Sequence, residues 1–207
     1  MSSILAFFAA LTLAAGIHPK DTIAEAVVVS SVKQSLKIPE VASPVTSVTL
    51  SAIEDRGISA PRNLSAVVPG LHIPDYGSAM TSSIYMRGLG SRIDNPVVSL
   101  YVDDVPVLDK NNYDFQFVDV RRADMFRGPQ GTLYGRNSMV GILSVETLAP
   151  SVYQGIRGGG EYGSANTVGA RISMYRGRAG TSVAYRHSDG FYVNEYDGRD
   201  CDKSDAL

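Results

Sequence analysis

The 207-residue sequence has no tryptophan, one cysteine and three histidines. A single cysteine excludes an internal disulfide framework, and so few histidines leave little from which to build a metal site. Charge is scarce too: Asp, Glu, Lys and Arg make up 19% of the chain, against about 25% in an average soluble domain. Nineteen Lys+Arg against 21 Asp+Glu give a formal net charge of −2, which is not the basic footprint of a nucleic-acid binder. The apolar run Ile4–Ala15 is too short for a bilayer span, which needs about 20 residues. Apolar residues nevertheless reach 44%, with 20 Gly and 11 Tyr. That composition rules out disorder and favours turn-rich β structure.

Catalytic patterns are also missing. The clusters Arg87-Gly88-Leu89-Gly90 and Gly128-Pro129-Gln130-Gly131 have neither P-loop nor dinucleotide-fingerprint spacing. No G-x-S-x-G nucleophile elbow occurs. His18, His72 and His187 share no ligand spacing. Asp103-Asp104 could be a metal or acid/base pair, but adjacent carboxylates at a strand end point to opposite faces, and a β-turn accounts for them better. No catalytic residue and no cofactor is therefore expected.

Ile4–Ala15, ending at Ala14-Ala15-Gly16, has the length and small-residue end of a signal peptide, so residues 1–16 are assigned to export. No Lys or Arg precedes Lys20, which keeps a buried N-terminal helix as the alternative. Residues 17–43 read as an extended tail with one β-prone segment, Val27-Val28-Val29, or as an edge strand.

Residues 44–150 carry the signals of a compact α+β domain. Strands are expected at Val45–Leu50, Leu71–Ile73, Ile84–Arg87, Val97–Val102, Val105–Leu108 and Ile142–Thr147. Ser51-Ala52-Ile53-Glu54 has capping-box spacing, and Ser59 can cap a second helix running to Val68 before Pro69-Gly70 stops it. The longest loops, His72–Ser83 and Leu108–Phe117, are of a length that is usually functional or mobile. Arg87 and Arg127 each follow an apolar residue at a strand end (Ile84-Tyr85-Met86 and Met125-Phe126) and precede Gly, so each guanidinium is expected to be partly buried and to need a partner. That partner is either a local aspartate (Asp103, Asp104, Asp119 or Asp124) or a group on another structural layer. In residues 151–207 alternation is clear over Thr167–Arg176 and resumes around Val183 and Tyr185, with turns at Gly163–Asn166 and Gly177–Gly180. Gly158-Gly159-Gly160 marks a kink or close packing. Strands with one apolar and one polar face fit an outer-membrane barrel and, read alone, a soluble sandwich.

Four ordered motifs carry a resemblance. They are Val68-Pro69-Gly70-Leu71-His72-Ile73, then Ile84-Tyr85-Met86-Arg87-Gly88-Leu89-Gly90, then Val98-Ser99-Leu100-Tyr101-Val102-Asp103-Asp104-Val105-Pro106. The fourth and most specific is Phe126-Arg127-Gly128-Pro129-Gln130-Gly131-Thr132-Leu133-Tyr134-Gly135-Arg136-Asn137. Together they resemble the plug domain of TonB-dependent outer-membrane receptors, and with the flanking tail and strands the resemblance covers about Glu25 to Gly198.

The resemblance implies an α+β plug domain, a small mixed sheet with short helices, followed by a few antiparallel strands of an incomplete transmembrane β-barrel. It implies gated uptake of a siderophore–iron complex or similar scarce nutrient across the outer membrane. It makes Ala26, Val27, Val28, Val29 and Ser30 the box that pairs as a strand with the periplasmic energy-transducing protein TonB. His72, Asp75, Tyr76, Met80, Asn111, Asn112 and Tyr113 become candidates in ligand-facing loops. Arg87 and Arg127 match family arginines that pair with glutamates on the inner barrel wall. No pattern of the polysaccharide-importing class is present, which tilts the ligand toward iron–siderophore complexes, haem or cobalamin.

Two departures stand beside it. Val140 occupies a place where family members often have a second Gly before the last plug strand, which is still expected to form. Only 57 residues follow Pro150, too few to close even the smallest barrel. The chain is then a fragment of a longer receptor, a truncated product or part of an assembly, with the remaining barrel as its partner and Cys201–Leu207 as an interrupted, extracellular loop. The rival reading is a stand-alone periplasmic binding module without transport. A secreted enzyme with a noncontiguous site is a distant third.

Overall fold

A computed structural model describes residues 28–29, 36–37, 44–76, 82–90, 95–196 and 203–206. The chain divides into two compact units, Glu25–Leu148 and a second containing Ala149–Leu207. The expected leader, residues 1–16, lies outside the described residues, as do Ala26, Val27, Ser30, Met80 and Cys201.

In the first unit, β1 (Val28–Val29) pairs antiparallel with β2 (Leu36–Lys37). Next come β3 (Val45–Thr49), α1 (Leu50–Asp55), a 3-10 helix (Pro61–Ala66), β4 (Leu71–His72) and β5 (Tyr85–Met86). They are followed by β6 (Val98–Val102), β7 (Val105–Val107), a one-turn 3-10 helix (Lys110–Asn112), β8 (Val120–Arg127), α2 (Gly131–Tyr134) and β9 (Gly141–Thr147). The main sheet has the order β3-β8-β9-β6-β7, and β4 pairs with β5 apart from it. The β6–β9 pair is parallel and the others antiparallel, so the sheet is mixed.

Alternation along the strands gives this sheet two faces. Val98 and Leu100 of β6, Ala123 and Met125 of β8, and Leu143 and Val145 of β9 join Leu64, Ile53, Met86 and Tyr113 in one buried cluster. Leu64, Met86, Val98, Leu100, Met125 and Leu143 are fully buried there. Burying one such side chain is worth about 1.5–3 kcal/mol. On the opposite face Tyr101, Phe126 and Ile142 pack with Val45 and Tyr134.

Asp103 and Asp104 form the β6–β7 turn, both with positive φ (48° and 65°), the backbone of a two-residue hairpin. The Asp103 carboxylate accepts hydrogen bonds from the Thr147 backbone N–H (2.8 Å) and Oγ1 (2.7 Å), fastening the end of β9. Gly141 opens β9 in spite of Val140. A Cβ there would sit 2.5 Å from the Phe126 carbonyl oxygen, so the β8–β9 approach requires glycine.

Three local expectations are corrected. The α1 N-cap is Thr49 and not Ser51, and no side chain caps that helix; Thr49 Oγ1 lies 3.1 Å from Ser51 Oγ instead. The helix expected to run from Ser59 to Val68 is a 3-10 helix with Ala60 at its N-cap, because Pro61 fixes φ for the first turn. Ser204–Ala206 is a strand rather than loop.

The second unit is an antiparallel sheet of β10 (Gly155–Gly163), β11 (Thr167–Arg176), β12 (Ala179–Ser188) and β13 (Ser204–Ala206), paired in that order. Ile156, Tyr162, Ile172, Met174, Val183 and Tyr185 share one face and are exposed. Arg157, Glu161, Arg171 and Arg186 lie on the other, where Arg186 Nε is 3.2 Å from Glu161. Gly159 leaves the space used by the Arg171 side chain, whose Nε would be 3.1 Å from an added Cβ. His187 of β12 reaches Asp205 of β13 at 2.6 Å and Asp189 at 3.1 Å.

Candidate functional site

The 3-10 helix Pro61–Ala66 gathers the two loops that the sequence singles out. Ser65 Oγ accepts from the Ile73 N–H at 3.0 Å, which fixes the start of the first loop. The Ser59 carbonyl accepts from the Phe117 N–H at 2.8 Å, which fixes the end of the second. Arg62 joins them: its Nη1 is 3.0 Å from Asp75 and 3.5 Å from Asp114. Burial raises the Asp114 pKa, a shift opposed by Arg62 and reinforced by Asp75. Arg62 and Asp114 are absent from the sequence-derived set. The only signal for them was position, since Arg62 stands one residue into the helix and Asp114 lies inside the second loop.

The predicted loop residues divide. His72, Asp75, Tyr76, Asn111 and Asn112 are exposed, and the His72 and Tyr85 rings lie 6.2 Å apart. Asp109 accepts from the Asn111 N–H at 2.9 Å and opens the short helix that presents both asparagines. Tyr113 is a correction. It is 2% exposed, its hydroxyl donates to the Val98 carbonyl, and burial pushes its pKa up to about 12. Its ring fills the core beneath the loop, where a ligand cannot reach it.

Neither Arg87 nor Arg127 pairs with a local aspartate among the described residues. Asp103 is taken by Thr147, and Asp124 lies 2.9 Å from Arg122 Nε. Arg87 is exposed at the β5 turn with φ of 53°, held by its N–H to the Gly70 carbonyl at 2.7 Å. Arg127 ends β8 with its Nε buried and without a hydrogen-bond partner. A buried donor left unpaired costs about 1–3 kcal/mol.

Farther along the same sheet charged side chains pair with one another. Glu146 of β9 receives Arg121 and Arg122 of β8, each at 2.7 Å. Asp124, beside them, has its pKa raised by burial, against the pull of Ser47 and Arg122. Among the described residues no group of three His, Cys, Asp or Glu could hold a metal ion.

The family model described as TonB-dependent Receptor Plug Domain matches residues 37–142. The pesticin receptor of Yersinia pestis is 42% identical over 127 residues, 59% of this chain and 19% of that protein. The ferrioxamine B receptor of Salmonella typhimurium is 27% identical over 138 residues, 61% and 19% of the two chains. The crystal structure of the ferric yersiniabactin uptake receptor FyuA from Yersinia pestis superposes with a TM-score of 0.66 at 32% identity, covering 76% of this chain and 26% of that one. The chain thus spans about a fifth of the length of the curated relatives it matches.

Proposed function

The chain belongs to the TonB-dependent receptor plug-domain family, and we propose that it is the N-terminal part of an outer-membrane receptor that gates uptake of a ferric siderophore. Residues 1–16 are its export signal, 17–43 its TonB-binding tail, 44–150 the plug and 151–207 the first barrel strands. Energy reaches it from TonB through strand pairing at Ala26–Ser30, where main-chain hydrogen bonds supply the grip. The exposed loop residues His72, Asp75, Tyr76, Asn111 and Asn112 face the chelate, with Met80 in the same loop. No chemical step on the ligand is needed.

The observation that carries this reading is Arg127, with its buried Nε unpartnered, together with Arg87, which makes no side-chain ion pair among the described residues. Both arginines fit carboxylates on an enclosing barrel wall, and breaking those pairs would release the plug. The relatives named for ferrioxamine B and ferric yersiniabactin support the siderophore class.

Deletion of Ala26–Ser30 from the complete receptor tests it, with ferric yersiniabactin carrying radioactive iron as the probe. Surface binding is expected to persist while accumulation inside the cell falls to background. Undiminished accumulation would refute TonB coupling through this segment, and loss of binding as well would refute its assignment as a box.

A further inference from the structure

We propose that Arg62 is a ligand-binding residue whose resting partner Asp75 is exchanged for an anionic donor group of the incoming chelate. The inference rests on the uptake reading above and adds the charge class of the ligand and the residue that senses it.

The two carboxylates on Arg62 are unequal. Asp114 is mostly buried, with 13% of its side chain exposed, whereas Asp75 is 62% exposed and Arg62 itself 43%. An exposed ion pair is worth about 0–1 kcal/mol, so Asp75 is readily displaced, while Asp114 stays under the guanidinium and holds it in place. A carboxylate or catecholate oxygen offers Arg62 the same planar, charge-assisted hydrogen bonds that Asp75 gives up. The exchange converts occupancy into a structural event. Asp75 is released from the 3-10 helix, while Ser65 and Ser59 keep the two loop anchors at Ile73 and Phe117. Arg62 therefore stands where the ligand's charge can alter one loop without dissolving the core beneath it.

The test uses the complete receptor, purified, titrated by intrinsic fluorescence with an anionic ferric tris-catecholate and with cationic ferrioxamine B. Arg62→Met is expected to weaken tris-catecholate binding about tenfold, the loss of one charge-assisted contact, without weakening that of cationic ferrioxamine B, and circular dichroism checks that the variant is folded. Arg62→Lys is expected to recover part of the loss. Asp75→Asn is expected to tighten tris-catecholate binding several-fold, because the competitor is gone. Equal weakening toward both complexes, no change in Arg62→Met, or weaker tris-catecholate binding in Asp75→Asn would overturn the exchange while leaving the uptake reading intact. A wild-type receptor that binds neither complex would overturn the exchange too. The uptake reading itself fails only if box-dependent accumulation of iron is absent.

Discussion

Asp124 illustrates how single residues set the properties of the plug. It faces Ser47 across the β3–β8 pair, is 4% exposed, and has one carboxylate oxygen buried without a partner. Burial raises its pKa above 3.8, so the folded chain holds this proton more tightly than the unfolded chain does. The stabilisation from that proton is complete below the unfolded value and is lost as pH rises through the raised folded value. Asp124→Asn removes the dependence. Denaturant midpoints at about pH 4 and about pH 7 are expected to show the wild type losing stability relative to Asp124→Asn as pH rises. A gap between the two proteins that does not vary with pH would contradict the buried, proton-holding environment. Tyr113 shows the same influence of burial from the other side. A tyrosine in a polar loop reads as a ligand contact, but here the loop closes over its own aromatic and the ring becomes core.

At the scale of elements, β8 is the strand that organises the plug, lying between β3 and β9, and the sequence showed only its end, at Met125-Phe126. Val120, Ala123 and Met125 all enter the main core, yet their spacing breaks a period of two. The cause is a bulge: the β8–β9 register shifts between Val120 and Arg122, and a bulge inserts one residue into the alternation. Arg121, Arg122 and Asp124 further disguise the strand: the two arginines reach across to Glu146, and Asp124 is buried beside Arg122. By contrast β6, β7 and β9 were legible, since short runs rich in Val, Ile, Leu and Tyr flank turns of Asp and Gly. The Arg62 triad was not, because it joins residues that only folding brings together. Gly141 gives this scale its test. Gly141→Ala places a methyl group against the Phe126 carbonyl and the Met125 side chain and is expected to cost about 1–3 kcal/mol, the range for overpacking, read as a lower denaturant midpoint. An unchanged midpoint would mean that β8 and β9 do not approach as closely as described.

For the whole molecule, the second unit matters through its two faces. An exposed row of Ile156, Ile172, Met174, Val183 and Tyr185 is the kind of apolar patch that marks a membrane or protein contact. Apolar-out and polar-in alternation is how a barrel strand meets lipid on one side and a lumen on the other. That pattern was legible in residues 167–176 from alternation alone, whereas only the family resemblance decided between barrel and sandwich. Arg87 and Arg127 belong to the same proposal, in which carboxylates outside the plug pair with them. On the function proposed above, this chain works as the N-terminal part of a membrane-embedded receptor. The most direct measurement is the size and location of the native product, detected in fractionated cells with an antibody against residues 65–151. The account predicts a band several times heavier than 22.1 kDa in the outer-membrane fraction. A band of this chain's own mass in the soluble fraction would mean a free plug and would contradict the transport claim.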